Sequence, residues 1–199
     1  MHVTLRVKEH VWNLRSRRSF RRIRRAFEKA RGRFGARLIE YSVQGNHLHL
    51  ILEADDNDAL SRAMQGLCIR LAKALNALMS RAGRVFDDHY FGRLLKSPTE
   101  LTRAIAYVLG NHQRHFGGSP EADAYSSATL SQAERVELLS FPVGWLLRVG
   151  RLGPPADSGP RIGFLFWALR RCAAPLVRVG LPPPRNAPPL RQLSGSRRR

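Results

Sequence analysis

His47 and His49 stand two residues apart in the run Gln44-Gly45-Asn46-His47-Leu48-His49-Leu50-Ile51-Leu52. In a strand, side chains two apart share a face. The imidazoles then project together, while Leu48, Leu50 and Leu52 line the opposite side. Two neutral imidazoles on a rigid strand can supply two ligands to one divalent cation. Tyr107 and Asn111 form a second pair, four residues apart in a segment with helical patterning. That spacing puts them about 40° apart on one helical face. Arg103 and Arg114 project within about 40° of Tyr107 on the same helix. A phenol, with a pKa of about 10, is a poor nucleophile until a cation or a polarised substrate helps it. An arginine-lined setting favours both the phenolate and a bound phosphate. Tyr90, beside Asp88 and His89, is the rival nucleophile, whereas Tyr41 and Tyr125 read as structural. Asp87 and Asp88 are rival metal ligands, with a turn or cap role as the simpler reading.

These residues need a scaffold. Residues 2 to 8 read as a first strand with Val3, Leu5 and Val7 on one face. A helix from about Ser16 to Phe34 follows, with Phe20, Ile23, Phe27, Ala30 and Phe34 at helical spacing. Its other surfaces carry Arg17, Arg18, Arg21, Arg22, Arg25 and Arg31, with Glu28 as the only acid. Like charges repel along a helix, so a near-uniform sign points to a phosphate-facing surface. Ala36 to Val43 reads as a second strand, joined through Gly45-Asn46 to the histidine strand as a hairpin. The cluster Asp55-Asp56-Asn57-Asp58 caps a long helix with Leu60, Met64, Leu67, Leu71, Leu75 and Leu78 on its apolar stripe. A fourth strand is expected within Arg84 to Lys96. Ser97-Pro98-Thr99-Glu100 then opens the tyrosine helix, with a capping serine, Pro at the first helical position and Glu three residues past the cap. The order predicts an α/β (α+β) ferredoxin-like βαββαβ sandwich, with an additional C-terminal helix carrying the nucleophile.

Composition narrows the partner. The 199 residues carry a formal charge of +19, from 34 basic and 15 acidic residues, which calls for a polyanion, nucleic acid first. An anionic membrane surface ranks second, but no apolar run approaches the roughly 18 residues of a spanning helix. Cys68 and Cys172 give neither ligand spacing nor a disulfide framework, so a reducing, cytoplasmic and nucleoid-associated setting is expected. Three regions follow: a domain over 1–118, an extension over 119–152, and an irregular basic tail over 153–199. The tail's Pro, Gly and Arg bias predicts disorder.

Asn46-His47-Leu48-His49-Leu50 resembles the His-hydrophobic-His motif of single-tyrosine transposases, and Tyr107-Val108-Leu109-Gly110-Asn111 resembles their nucleophile helix. Gly83 to Arg93 is similar to the segment that precedes that helix in REP-associated tyrosine transposases. The resemblance spans residues 2 to about 116 in order. It implies a DNA strand transferase in which His47, His49 and Asn111 hold Mg²⁺ or Mn²⁺ and Tyr107 attacks a phosphodiester, leaving a 5′-phosphotyrosine. Arg17, Arg18, Arg21, Arg22, Arg25, Arg103 and Arg114 are the expected DNA contacts. The partner is single-stranded or hairpin DNA, with a homodimer as a further option and no membrane. His112 and His115 are alternative ligands to Asn111. Family members often carry basic residues before the first strand, and their absence here predicts weaker recognition of a hairpin end.

Two other classes stay open at this stage. One is a catalytically silent nucleic-acid binder of the same fold. The other is a metal-dependent nuclease that uses activated water, with Tyr107 only a binding group.

Overall fold

The computed structural model of the protein describes residues 1–87, 89–116 and 122–152, the side chains of 114–116 and 149–152 excepted. The disorder expected of 153–199 lies outside the described residues. Alternation in the first strand places Val3 and Leu5 in a core, and β1 (His2–Arg6) pairs antiparallel with β3 (His47–Ala54). β3 forms the expected hairpin with β2 (Ala36–Val43), and a short β4 (Phe91–Arg93) closes the other edge against β1. The sheet order is β2-β3-β1-β4, all antiparallel, as a ferredoxin-like sandwich requires. The fourth strand is three residues long. Outside β4, the described part of Arg84 to Lys96 meets the β1 end through an isolated bridge, Val7 to Phe86.

Helices cover both faces. α1 (Arg17–Ala30) and α2 (Asn57–Leu78) pack on the face lined by Leu48, Leu50 and Leu52, burying Ile23, Phe27, Met64 and Leu71. Ser16 caps α1 by accepting from Ser19 N, and Asp56 caps α2 by accepting from Ala59 N. α1 ends four residues before the predicted Phe34. Gly32 (φ 67°) and Phe34 (φ 62°) take left-handed backbone there, which halts helical hydrogen bonding and turns the chain into β2. Phe34 lies against Gly66 of α2, where a Cβ would meet its ring at 2.7 Å. Cys68 packs against this first core, and burial pushes its thiol up to about 12.

α3 (Pro98–Phe116) lies on the other face, against β2 and β3. Glu100 N donates to Ser97 Oγ at 3.2 Å and Lys96 N to Glu100 Oε2 at 2.8 Å, so the predicted start is capped from both directions. Leu101 and Val108 meet Ile39 and Ile51 in a second, smaller core. A bulge between Leu38 and Glu40 lets Ile39 reach that core while Glu40 pairs with Ile51.

The extension has helical structure of its own, α4 (Gln132–Leu138) and α5 (Trp145–Leu152), after a 3-10 turn at Ser127–Thr129. Leu138 and Leu139 enter the first core and Leu147 the second. Polar clasps hold it to the sheet. Arg15 donates to both oxygens of Asp123 at 2.8 Å, and to Val43 O at 3.0 Å, with its guanidinium 4.3 Å over the Tyr125 ring. The Asp123 side chain is 3% exposed, so removing it strands a largely buried cation. Asp123→Ala should therefore cost about 3 kcal/mol, readable as a lower midpoint in urea unfolding at unchanged slope.

Candidate active site

β3 sets the site. His47 and His49 share the face turned towards α3, with His49 buried and His47 half-buried. Their Nε2 atoms approach to 3.1 Å. His47 Nδ1 lies 2.8 Å from Asn46 Oδ1, and His49 Nδ1 lies 3.1 Å from Thr4 Oγ1 and 3.2 Å from His2 Nε2. With protons on both Nδ1 atoms, these neighbours accept, and the nitrogens that carry the lone pairs are the two adjacent Nε2 atoms.

Tyr107 stands over this pair. Its ring meets His49 edge-on at 5.4 Å and 80°, and meets His2 at 5.8 Å and 64°. One turn on, Asn111 is fully buried, and neither amide atom has a hydrogen-bond partner among the described residues. A buried amide left unpaired costs about 1–3 kcal/mol per lost bond, which makes Asn111 a candidate ligand. Tyr90, by contrast, sits in the first core on the other side of the sheet, where burial raises its phenol. Burial also pushes the Tyr41 phenol up to about 12, with its ring packed on Phe27 at 5.1 Å. Tyr107 is the phenol at the imidazole pair.

A divalent cation fits the donors. With nitrogen–metal bonds of about 2.1 Å, two cis ligands lie about 3.0 Å apart at an octahedral ion and about 3.4 Å apart at a tetrahedral one. The 3.1 Å between His47 and His49 falls in that span. Among the described residues no three or more His, Cys, Asp and Glu side chains form a group that could hold an ion. The Asn111 carboxamide, unpartnered among the described residues, is a neutral oxygen donor of the kind that could complete such a site. His112 is about 140° round the helix from Tyr107, off the site-facing edge. The side chains of Arg114 and His115, and all of Asp88, lie outside the described residues. Asp87 is exposed and 3.9 Å from Lys8.

Three site residues escaped the sequence reading. His2, on the β1 face opposite Val3 and Leu5, is buried against His49. Ser42 pairs with His49 in register, and the buried Gln44 donates to Ser42 Oγ at 2.8 Å while its own Oε1 is unpartnered. The signal was available. Period-2 alternation marks His2 as surely as His49, but only the apolar side of β1 was followed.

Burial, reinforced by the positive charges of the amino terminus and Arg93, pulls His2 down to about 4. An unfolded chain protonates it below about 6.5, so the unfolded state binds the extra proton between those values. Stability is thus fully present above about pH 6.5 and falls by roughly 3 kcal/mol as pH drops to about 4. Urea unfolding across that window should show the decline, and His2→Asn should flatten it.

The structure separates the basic residues into two places. Arg103 lies on α3, half-buried. Arg17, Arg18, Arg21, Arg22 and Arg25 are exposed on α1, across the sheet from Tyr107. The α1 stripe therefore does not share the imidazole pair's face. No helix among the described residues is long and apolar enough to cross a membrane.

Comparison with known proteins gives two matches. A family model described as "Transposase IS200 like" matches residues 1–107, just over half of the chain. A solved REP-associated tyrosine transposase bound to a REP hairpin is similar in fold, with a TM-score of 0.54 and 13% identity. That match covers 64% of this chain and 74% of the other. No curated protein sequence matches significantly.

Proposed function

The chain belongs to the IS200-like transposase family, and on that premise we propose that it nicks and rejoins single-stranded DNA beside a hairpin through a covalent Tyr107 intermediate. The observation that carries this reading is the Tyr107 ring standing edge-on over His49, whose Nε2 meets that of His47. The hairpin part of the proposal comes from the structurally similar transposase, which was solved with one.

His47, His49 and the Asn111 carboxamide would hold Mg²⁺ or Mn²⁺. When bound, that ion supplies charge stabilisation at the oxygens of the scissile phosphate. Tyr107 Oη attacks phosphorus in line, so the Oη–P bond forms as the P–O3′ bond breaks. The phenol proton passes to solvent, and the departing 3′ oxygen takes a proton to become a free hydroxyl. The 5′-phosphotyrosine keeps the energy of the original diester, so a later 3′-hydroxyl can reverse the step without a nucleotide cofactor. His2 and Thr4 fix the His49 ring by contacting Nδ1. The α1 arginines, across the sheet, would engage phosphates away from the cut.

The test is incubation with end-labelled single-stranded DNA carrying a hairpin, with Mn²⁺ or Mg²⁺. A protein–DNA adduct that survives denaturant is the expected result. Cleavage without an adduct would assign a water-using nuclease instead. Tight binding without cleavage would assign a silent DNA binder.

A further inference from the structure

Beside the imidazole pair sits a cation with no partner. In the β1–β3 ladder Arg6 is directly opposite His47, as Thr4 is opposite His49. Directly opposed residues share a face of the sheet, with Cβ atoms about 5 Å apart. Arg6 therefore projects on the face of Tyr107, at the open end where His47 is half-buried, and Arg6 is itself exposed. Four other arginines on or beside the sheet are engaged. Arg37 binds Glu53, Arg93 meets Glu100, Arg135 binds Glu40 and Arg15 binds Asp123. Among the described residues Arg6 has no carboxylate and no side-chain hydrogen bond. Asp87 donates its backbone N–H to Arg6 O while its carboxylate lies towards Lys8.

We propose that Arg6 is a further catalytic residue, whose guanidinium binds a non-bridging oxygen of the scissile phosphate and stabilises the charge that builds there during Tyr107 attack. The inference rests on the reading of Tyr107 and the histidines given above. A guanidinium offers a planar fork of donors matched to phosphate oxygens, and it keeps its charge at every working pH. In the step itself the Oη–P bond forms and the P–O3′ bond breaks, and Arg6 only holds the equatorial oxygen, giving up no proton.

Arg6→Ala and Arg6→Gln should each slow adduct formation by about 100-fold. Arg6→Lys should recover part of the loss, because it restores charge without the fork. Folding should be unaffected, since the side chain is exposed. In EDTA, affinity for a strand spanning the cut should depend less steeply on salt, with the slope of log K against log salt about 0.7 smaller than for the unaltered protein. The sharpest arm uses DNA with a methylphosphonate at the scissile position, which replaces a charged oxygen by methyl. The ratio of unaltered protein to Arg6→Ala should collapse from about 100-fold to within about 3-fold, because the charge Arg6 serves is gone.

The outcomes separate. If the unaltered protein forms no adduct, the whole site reading falls and this proposal falls with it. If it forms one and Arg6→Ala matches it within about 3-fold, Arg6 alone is wrongly assigned. A full penalty that persists on the methylphosphonate strand would also overturn the proposal, since Arg6 would then act somewhere other than on that oxygen.

Discussion

Tyr107→Phe is expected to lower formation of the covalent protein–DNA adduct by at least about 10⁴-fold, because the oxygen that would form the ester is gone. The substitution removes one oxygen and keeps the ring that meets His49 and His2. Fold, metal affinity and DNA binding should all be retained, so the loss would be chemical. Tyr90→Phe is the matched control. It removes a hydroxyl from the first core, on the far side of the sheet, and should leave adduct formation intact. An adduct that persists in Tyr107→Phe would mean that another side chain is the nucleophile. Gel electrophoresis in denaturant, with labelled DNA on the 5′ side and then the 3′ side of the cut, reads all of these results.

The second large effect concerns the imidazoles. His47→Ala should reduce cleavage by about 10³-fold or more, and chelation of divalent ions should bring the unaltered protein to the same level. His47 is half-buried, so stability should change less than at the buried His49. His49→Ala should lose as much activity and also about 2 kcal/mol of stability, because Thr4 and His2 lose their shared partner at a buried position. Binding of Mn²⁺ to the Tyr107→Phe protein, followed by calorimetry, should disappear in either histidine variant. DNA affinity in EDTA should not. Loss of DNA affinity equal to the loss of cleavage would make the histidines structural, and the proposed chemistry would have to be abandoned.

Much of this arrangement can be read in the chain, and the parts that cannot have physical reasons. Leu48, Leu50 and Leu52 alternate with His47, His49 and Ile51, which fixes both the strand and the face on which the imidazoles lie. The four-residue interval between Tyr107 and Asn111 fixes their common edge once Ser97 and Glu100 have set the start of the helix. The stripe of arginines on α1 was legible as exposed, but its address was not. A charge pattern says that a helix face meets solvent, and only the packing of Ile23 and Phe27 on the Leu50 side says which solvent. β4 takes up three residues of the Arg84 to Lys96 segment because a strand at the edge is limited by what its partner offers, and β1 pairs with it from His2 to Thr4. His2, Ser42 and Gln44 belong to the site through register across strands, which local patterning does not encode.

Glu53 has a consequence for anyone who would shorten this protein. It sits on the same strand as the imidazoles, four residues beyond His49, and accepts from Val143 N at 2.9 Å and Gly144 N at 2.6 Å. A Cβ at position 144 would come within 2.7 Å of that carboxylate, so glycine is what lets the backbone close on it. The loop held in this way launches α5, whose Leu147 packs with Leu101 and Val108 of the tyrosine helix. The family match runs to Tyr107, and a chain cut at that border would lose the rest of α3 and the α5 packing on it. A variant ending at residue 107 should therefore be less stable than one that keeps α5, because the strap anchored on Glu53 packs on α3.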